Sequence, residues 1–189
     1  GDWSSDVCSS DLRNEVSKKI YENLADQGDF ASMINLSTYY GESSIKMKEL
    51  NLIAASRGYP VAFSNLGVYY LHHKNKEKSD YWFSLAGAVE KEMSKEQNAQ
   101  NLSEGISISN EATAIKVTFP KGYDFTKIQG KVSLYRPSSQ KLDFEIPISL
   151  SSPHLLIPKS NLAGGLWDIS IDWEYDGVKY LNKDSFRME

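Results

Sequence analysis

The histidines are the first residues whose side chains could bind a metal ion. His72 and His73 are adjacent, and His154 stands beside Pro153 with no second histidine nearby. Neighbouring residues on a helix point about 100° apart, so His72 and His73 cannot chelate one ion together. The single cysteine, Cys8, allows neither an internal disulfide nor a cysteine zinc cage. The sequence therefore predicts no metal site.

Carboxylates near the C-terminus form a second group that could attract a cation. Asp168, Asp172, Glu174 and Asp176 lie in a segment that alternates apolar and polar residues. Alternation places the first three on one face of a strand, at steps of about 7 Å for every two residues. One calcium ion does not easily bridge that spacing, so we expect a solvated acidic face.

No set of residues predicts catalysis. The chain has no Gly-x-Ser-x-Gly nucleophile motif and no phosphate-binding Gly loop. Its 189 residues carry 21 Lys+Arg against 25 Asp+Glu, a net charge of −4, which excludes the basic footprint typical of nucleic-acid binding. Hydrophobic residues make up 40% of the chain, enough for a core. We therefore expect a non-enzymatic protein that uses no cofactor and binds no nucleic acid.

Aromatic and basic side chains remain as candidates for protein binding. Tyr39 and Tyr69 are each the first residue of a Tyr-Tyr pair. Such pairs predict either a peptide-binding platform or core packing between helices. Arg136 follows Tyr135 and, counted by twos from Val132, points to the core side of its strand. An inward arginine at a strand end needs a partner or must reach solvent. Arg136 is thus predicted to act as a turn clamp, and the alternative is that Tyr135 and Arg136 anchor a protein partner.

The elements that position these residues change in character at Gly105. Helical periodicity precedes this residue and strand alternation follows it. Ser94 and Gln97 have the spacing of a capping box, which predicts that a short connecting helix begins at Ser94. The predicted divisions are residues 13–88, 89–104 and 105–189. We expect an α + β protein whose two kinds of structure form separate domains, with the last one able to fold independently.

An internal repeat organises the helical half. Residues 25–40 and 55–70 share six identities at a constant offset of 30. Gly28 and Gly58 suit the positive-φ position just past the end of a helix. Pro60 suits the first turn of the next helix. The repeat therefore predicts pairs of helices.

This pattern resembles the Sel-one-like repeat, a relative of the tetratricopeptide repeat. The match is best at Ala55–Tyr70 and at Trp82–Ala86, and it covers residues 13–88. The resemblance implies α-helical repeat hairpins that bind peptide or protein partners. Such repeats generally need about three copies to bury a core. We expect the segment to be part of an array or to be capped by the residues C-terminal to it.

The remaining residues, 105–189, alternate in the manner of short strands. Alternation from Trp167 to Tyr175 predicts a half-buried strand, and Asp176-Gly177 predicts a two-residue hairpin turn. Leu142–Leu150 alternates equally well. About seven strands of this kind predict an immunoglobulin-like antiparallel β-sandwich, without the cysteine pair of true immunoglobulin domains.

The pairing of two of these strands is constrained by their apolar faces. In an antiparallel hairpin, the residue numbers of directly opposed residues have a constant sum. Val132 and Leu134 share a core face with Phe144 only if this sum is even. The shortest sensible loop predicts Leu134 opposite Leu142 and Val132 opposite Phe144. Arg136 would then lie opposite Gln140, and Pro137-Ser138-Ser139 would form a three-residue loop.

The ordered motifs of residues 90–189 resemble the FixH family. The matching segments are Lys131–Ser138, Leu142-Asp143, Leu155–Pro158, Gly165–Trp167, Trp173–Gly177 and Tyr180. The resemblance implies a periplasm-facing β-sandwich on a single N-terminal membrane helix. It also implies a non-enzymatic role in assembling or maturing a cbb-type haem–copper oxidase. The implied partners are oxidase subunits or subunits of a copper transporter.

The chain departs from that family where helical repeats stand in place of the membrane helix. In addition, residues 1–12 resemble a translated sequencing adapter, with seven consecutive matching residues from Asp6 to Leu12. We therefore expect the native anchor or signal to lie outside this sequence. Two origins stay open, a natural fusion and an artefactual joining of two reading frames. The alternative function is that of a soluble Sel-one-like repeat adaptor.

Overall fold

The structure, a computed structural model, describes residues 9–188. The chain divides into two compact units, a helical unit that ends at Lys91 and a β unit that begins at Glu92. Of the adapter-like residues 1–12, residues 1–8 lie outside the described part, and residues 9–12 belong to α1, which begins at Ser9. Helices therefore precede antiparallel sheets, as the sequence predicts for an α + β protein.

Within residues 9–188, five α-helices lie before the strands. Their bounds are α1 Ser9–Asp26, α2 Phe30–Ser37, α3 Ile45–Ala55, α4 Pro60–His72 and α5 Lys76–Gln100. Gly28 and Gly58 follow α1 and α3 with φ of 89° and 81°, which confirms the predicted helix ends. Pro60 is the first residue of α4, also as predicted.

Small apolar side chains allow the helices of the helical unit to pack closely. Ala54, Ala62 and Leu66 are fully buried where α3 meets α4. At the first pair of helices, Met33 and Leu36 of α2 pack with Ala25 of α1. Consecutive helices therefore contact one another, α2 with α1 and α3, and α3 with α4.

The predicted start of a connecting helix at Ser94 is wrong. Ser94 lies inside α5, which continues without a break from Lys76 to Gln100. No proline occurs in this helix, and most of its residues between Glu90 and Gln100 are good helix formers, so nothing interrupts the backbone hydrogen bonds. The segment predicted as residues 89–104 is thus the end of α5 and the loop after it.

In the described part of the β unit, up to Met188, seven strands form two antiparallel sheets. They are β1 Ser107–Asn110, β2 Ala114–Thr118, β3 Gln129–Tyr135, β4 Phe144–Pro147, β5 His154–Pro158, β6 Gly165–Tyr175 and β7 Val178–Met188. The strand orders are β1-β2-β5 and β4-β3-β6-β7. Ile115, Val117, Leu134, Trp167 and Trp173 belong to one buried apolar cluster with residues from both sheets. The two sheets therefore share a hydrophobic core.

The turn between β6 and β7 is the predicted hairpin. Tyr175 pairs with Val178 across the two-residue loop. Asp176 and Gly177 have φ of 48° and 80°, the positive values that a tight hairpin turn of this kind requires. The full lengths of β6 and β7 pair from this turn to Gly165 and Met188.

The predicted register of β3 and β4 is wrong by two residues. Leu134 pairs with Phe144, and Val132 pairs with Ile146, so the faces are as predicted but the loop is longer. Leu142 lies in a short 3-10 turn, Gln140–Leu142, and is 40% exposed. The carboxylate of Asp143 accepts a hydrogen bond of 2.7 Å from the backbone N–H of Arg136, which closes the longer loop.

Candidate protein-contact surface

The outer face of the four-stranded sheet is built by strand alternation. Because Val132, Leu134 and the tryptophans of β6 face the core, the residues between them face away from it. This outer face presents Lys131, Ser133, Tyr135, Asp168, Ser170, Asp172, Leu181, Lys183 and Ser185. The face is polar, in contrast to the apolar face beneath it.

The end of α5 makes contacts with part of this outer face. Lys95 donates a hydrogen bond of 2.6 Å from its Nζ to Asp172 Oδ2. The side-chain amide of Asn98 donates to the Lys179 carbonyl at 2.9 Å. Ala99 is 6% exposed and joins the buried cluster of the β unit. The sequence could not indicate these contacts, since Lys95 and Asp172 lie far apart in the chain.

Lys183 adds an ion-pair network to the same contact. Its Nζ lies 2.6 Å from Glu96 Oε1 and 3.5 Å from Glu92 Oε2. The hydrogen bond to Glu96 is the main cause that raises the pKa of Lys183 above its ordinary value. Lys183 is therefore held as a cation between two carboxylates of α5.

An open groove of about 620 Å³ lies on this outer face and shares Asp172 and Lys183 with the contact to α5. Tyr135 lies in this groove, is 44% exposed and pairs directly with Asp168 across β3 and β6. Ser170 and Ser185 extend the polar lining toward β7. One of the four candidate partner-binding residues, Tyr135, thus lines this groove.

A hydrogen-bonded cluster borders the groove at β4. Lys131 Nζ donates to Glu145 Oε1 at 2.7 Å, and the Ser133 hydroxyl donates to the same oxygen at 3.1 Å. The hydrogen bond from Lys131 is the main cause that lowers the pKa of Glu145, and the bond from Ser133 lowers it further. The same bond to Glu145 raises the pKa of Lys131. No motif in the sequence indicated this cluster, although the alternation of β3 and β4 could have placed Lys131 near Glu145 once the register was known.

Arg136 lies at the end of β3 and contacts the loop before β6. Its Nη2 donates to the Gly164 carbonyl, while its Nε has no hydrogen-bond partner among residues 9–188. Gly165 has a φ of 122°, and a Cβ there would lie 3.1 Å from Arg136 Nη2. The guanidinium thus contacts a turn carbonyl, the geometry expected of a clamp, and its role toward a partner stays a prediction.

The two tyrosines predicted in the helical half differ in exposure. Tyr69 is 7% exposed, and its ring stacks on His73 and lies edge-on to Tyr70. Tyr39 is half-buried, with its ring centroid 6.3 Å from that of Tyr21. Tyr69 therefore has little surface to offer, and a partner-binding role for Tyr39 and Tyr69 stays a prediction.

The histidines form local contacts. His72 Nε2 lies 2.6 Å from Glu42 Oε2, and His73 Nδ1 lies 2.8 Å from the Tyr69 carbonyl oxygen. Within residues 9–188, no three His, Cys, Asp or Glu residues are arranged to hold a metal ion. In the same range, no helix combines the length and the apolar character needed to cross a membrane.

Comparison with known families adds a finding to this geometry. A family model described as FixH matches residues 53–187. The match takes in the end of α3, all of α4 and α5, and nearly all of the β unit, so it extends well before residue 90. No curated protein and no solved structure matches the chain.

Proposed function

Because the chain belongs to the FixH family, we propose that it is a non-enzymatic accessory protein in the assembly or maturation of a cbb-type cytochrome c oxidase. The family match over residues 53–187 is the observation that carries this proposal. In this proposal the β unit faces the periplasm and contacts oxidase or copper-transporter subunits.

The β unit supports a contact role. Its two antiparallel sheets enclose one apolar core, and we propose that they form an immunoglobulin-like sandwich. The outer face carries an open groove with an exposed tyrosine, Tyr135, and paired lysines and carboxylates. Exposed aromatic side chains with a polar surround are typical of protein interfaces.

The helical unit supports an alternative function, that of a Sel-one-like repeat adaptor. Gly28 and Gly58 occur at the same position of two helix pairs, 30 residues apart, with similar positive φ. We propose that these pairs are Sel-one-like repeats. The extension of the FixH match to residue 53 favours a common origin of α4, α5 and the β unit over an artefactual joining between them.

Disruption of the gene in its host tests the proposed function. We expect cbb-type oxidase activity and its haem-bearing subunits to fall, and the full chain supplied in trans to restore both. The matched control is disruption of an unrelated neighbouring gene. Normal oxidase activity and normal subunit levels after disruption would contradict the proposal and favour the adaptor.

A further inference from the structure

One carboxylate on the outer face of β6 differs from its neighbours, because it forms no ion pair with the described residues. Asp172 pairs with Lys95 at 2.6 Å, and Glu174 lies 4.0 Å from Lys179. Asp168 stands on the same face of the same strand, and no ion pair joins it to any residue between 9 and 188. This strand therefore presents one carboxylate whose charge the described chain does not balance.

The neighbouring carboxylate, Asp172, shows that this face of β6 can bind a lysine side chain. Lys95, which belongs to the helix α5, forms a short hydrogen-bonded ion pair with Asp172. The side chains of Lys95 and Asp172 are 23% and 36% exposed, so the pair is partly shielded from water. Partial shielding strengthens an ion pair relative to one in open solvent. Asp168, four residues earlier, offers the same chemistry where α5 provides no lysine.

Tyr135 gives this position a second means of holding a cation. It is directly opposite Asp168 in the β3–β6 ladder, so their Cβ atoms are about 5 Å apart. Its side chain is 44% exposed and lines the groove. An aromatic ring near a carboxylate attracts Lys or Arg through both the ring face and the charge.

The charge of the groove favours the same kind of occupant. Its lining contains the carboxylates of Glu92, Asp168, Asp172 and Asp184 but only two lysines. Both lysines, at 131 and 183, are already hydrogen-bonded to carboxylates, and Asp172 and Glu92 are likewise paired with lysines. Among residues 9–188 no ion pair joins the other two lining carboxylates, Asp168 and Asp184, to a cation. A basic segment is therefore complementary to the groove, and an acidic segment is not.

We propose that the groove around Asp168 and Tyr135 docks a Lys or Arg side chain from a basic segment of a protein partner. The cation binds Asp168 as Lys95 binds Asp172, with the Tyr135 ring beside it. The proposal rests on the proposed function only for the existence of a protein partner. It deepens that function by stating the chemistry through which the partner is recognised.

The test uses the full chain, labelled with ¹⁵N, and two synthetic peptides, pentalysine and pentaglutamate. We expect pentalysine to shift the amide signals of Tyr135 and Asp168 and their strand neighbours, and pentaglutamate to shift none of them. In Asp168→Asn the binding of pentalysine should weaken about fivefold or more, which corresponds to about 1 kcal/mol. Glu104→Gln removes an exposed carboxylate of the same unit outside the groove, and it should bind as the wild type does.

Tyrosine variants provide the second test. Tyr135→Ala should weaken pentalysine binding, and Tyr135→Phe should retain it, because phenylalanine keeps the aromatic face. These variants also serve if Asp168→Asn does not fold. Absent shifts, shifts spread over the whole acidic surface, or equal weakening in Glu104→Gln and Asp168→Asn would overturn the proposal.

Capture of purified, detergent-solubilised cbb-type oxidase separates this proposal from the proposed function. Capture by the wild type and its loss in Asp168→Asn support both. Equal capture by the wild type and by Asp168→Asn overturns the docking site and leaves the proposed function standing. If pentalysine binds at Asp168 while neither protein captures the oxidase, the docking site stands and the proposed partner is wrong.

Discussion

Gly130 occupies a position in β3 where the backbone of β6 leaves no room for a side chain. It stands in β3 opposite Trp173, with a φ of 144° that L-amino acids rarely adopt. A Cβ at this position would overlap the carbonyl oxygen of Asp172 and lie 2.7 Å from the Cα of Trp173. We expect Gly130→Ala to lower the free energy of unfolding by about 3 kcal/mol, measured by urea titration of the β3 and β6 amide signals.

Gly105 provides the matched control for that substitution. No atom lies within 4 Å of the position that its Cβ would occupy. Gly105→Ala should therefore change the free energy of unfolding by less than about 0.5 kcal/mol. Similar losses in the two variants would contradict the steric explanation for Gly130.

Glu145 gives the β unit a small dependence on pH. The hydrogen bonds from Lys131 and Ser133 hold the pKa of Glu145 below its ordinary value. A carboxyl group whose pKa is lower in the folded state stabilises that state above its unfolded pKa, and this contribution disappears as the pH falls through the folded pKa. We expect Glu145→Gln to lower the free energy of unfolding near pH 7 and to have less effect near pH 3. These two pH values lie approximately above and below the range in which a carboxyl group titrates.

Urea midpoints of the wild type and the variant at both pH values measure this effect. Glu104→Gln is the control, and its difference from the wild type should not follow this pattern. A difference for Glu145→Gln that is the same at both pH values would show that the contact with Lys131 is not the cause.

At the scale of elements, the β3–β4 hairpin provides a direct test of register. Phe144 pairs with Leu134 and lies edge-on to Trp167 at 6.1 Å between ring centroids, whereas Leu142 is 40% exposed. We expect Phe144→Ala to lower the free energy of unfolding by about 2 kcal/mol and Leu142→Ala by less than about 1 kcal/mol. Denaturant titrations of both variants measure these changes. A larger loss of unfolding free energy for Leu142→Ala than for Phe144→Ala would favour the register with the shorter loop.

The hairpin also shows what the sequence can determine about an element. Alternation assigns Val132, Leu134 and Phe144 to one face, because a shift by one residue would bury Asp143 and Glu145. A shift by two residues keeps every face unchanged, so alternation cannot choose between the two loops. In the structure the hydrogen bond from the Arg136 N–H to Asp143 closes the longer loop, and no local sequence pattern indicates this contact.

A similar limit applies to α5 and to the groove. The capping-box spacing of Ser94 and Gln97 is a local pattern, and such a pattern also occurs inside a helix that nothing interrupts. The sequence indicated Tyr135 as a binding residue, but the groove around it depends on contacts such as Lys95 with Asp172. Those contacts join residues 77 positions apart, and no local pattern determines them.

At the scale of the whole molecule, the boundary between the compact units lies inside α5. The β unit begins at Glu92, thirteen residues before the change in sequence pattern at Gly105. The segment from Glu92 supplies Ala99 and Leu102 to the apolar cluster and Lys95 to Asp172. A fragment that starts at Gly105 would therefore lack part of the packing of its own unit.

We expect residues 92–189 to unfold cooperatively, and residues 105–189 to be less stable by about 2–4 kcal/mol. Most of this loss comes from the apolar contacts of Ala99 and Leu102, since partly exposed ion pairs contribute less than about 1 kcal/mol each. Urea titration of the two fragments measures the difference, and Ala99→Asp in the longer fragment should reproduce much of it by placing an unpaired charge in the core. Equal stability of the two fragments would mean that the end of α5 packs on the sheet without stabilising it, and that the structural boundary coincides with the change of pattern at Gly105.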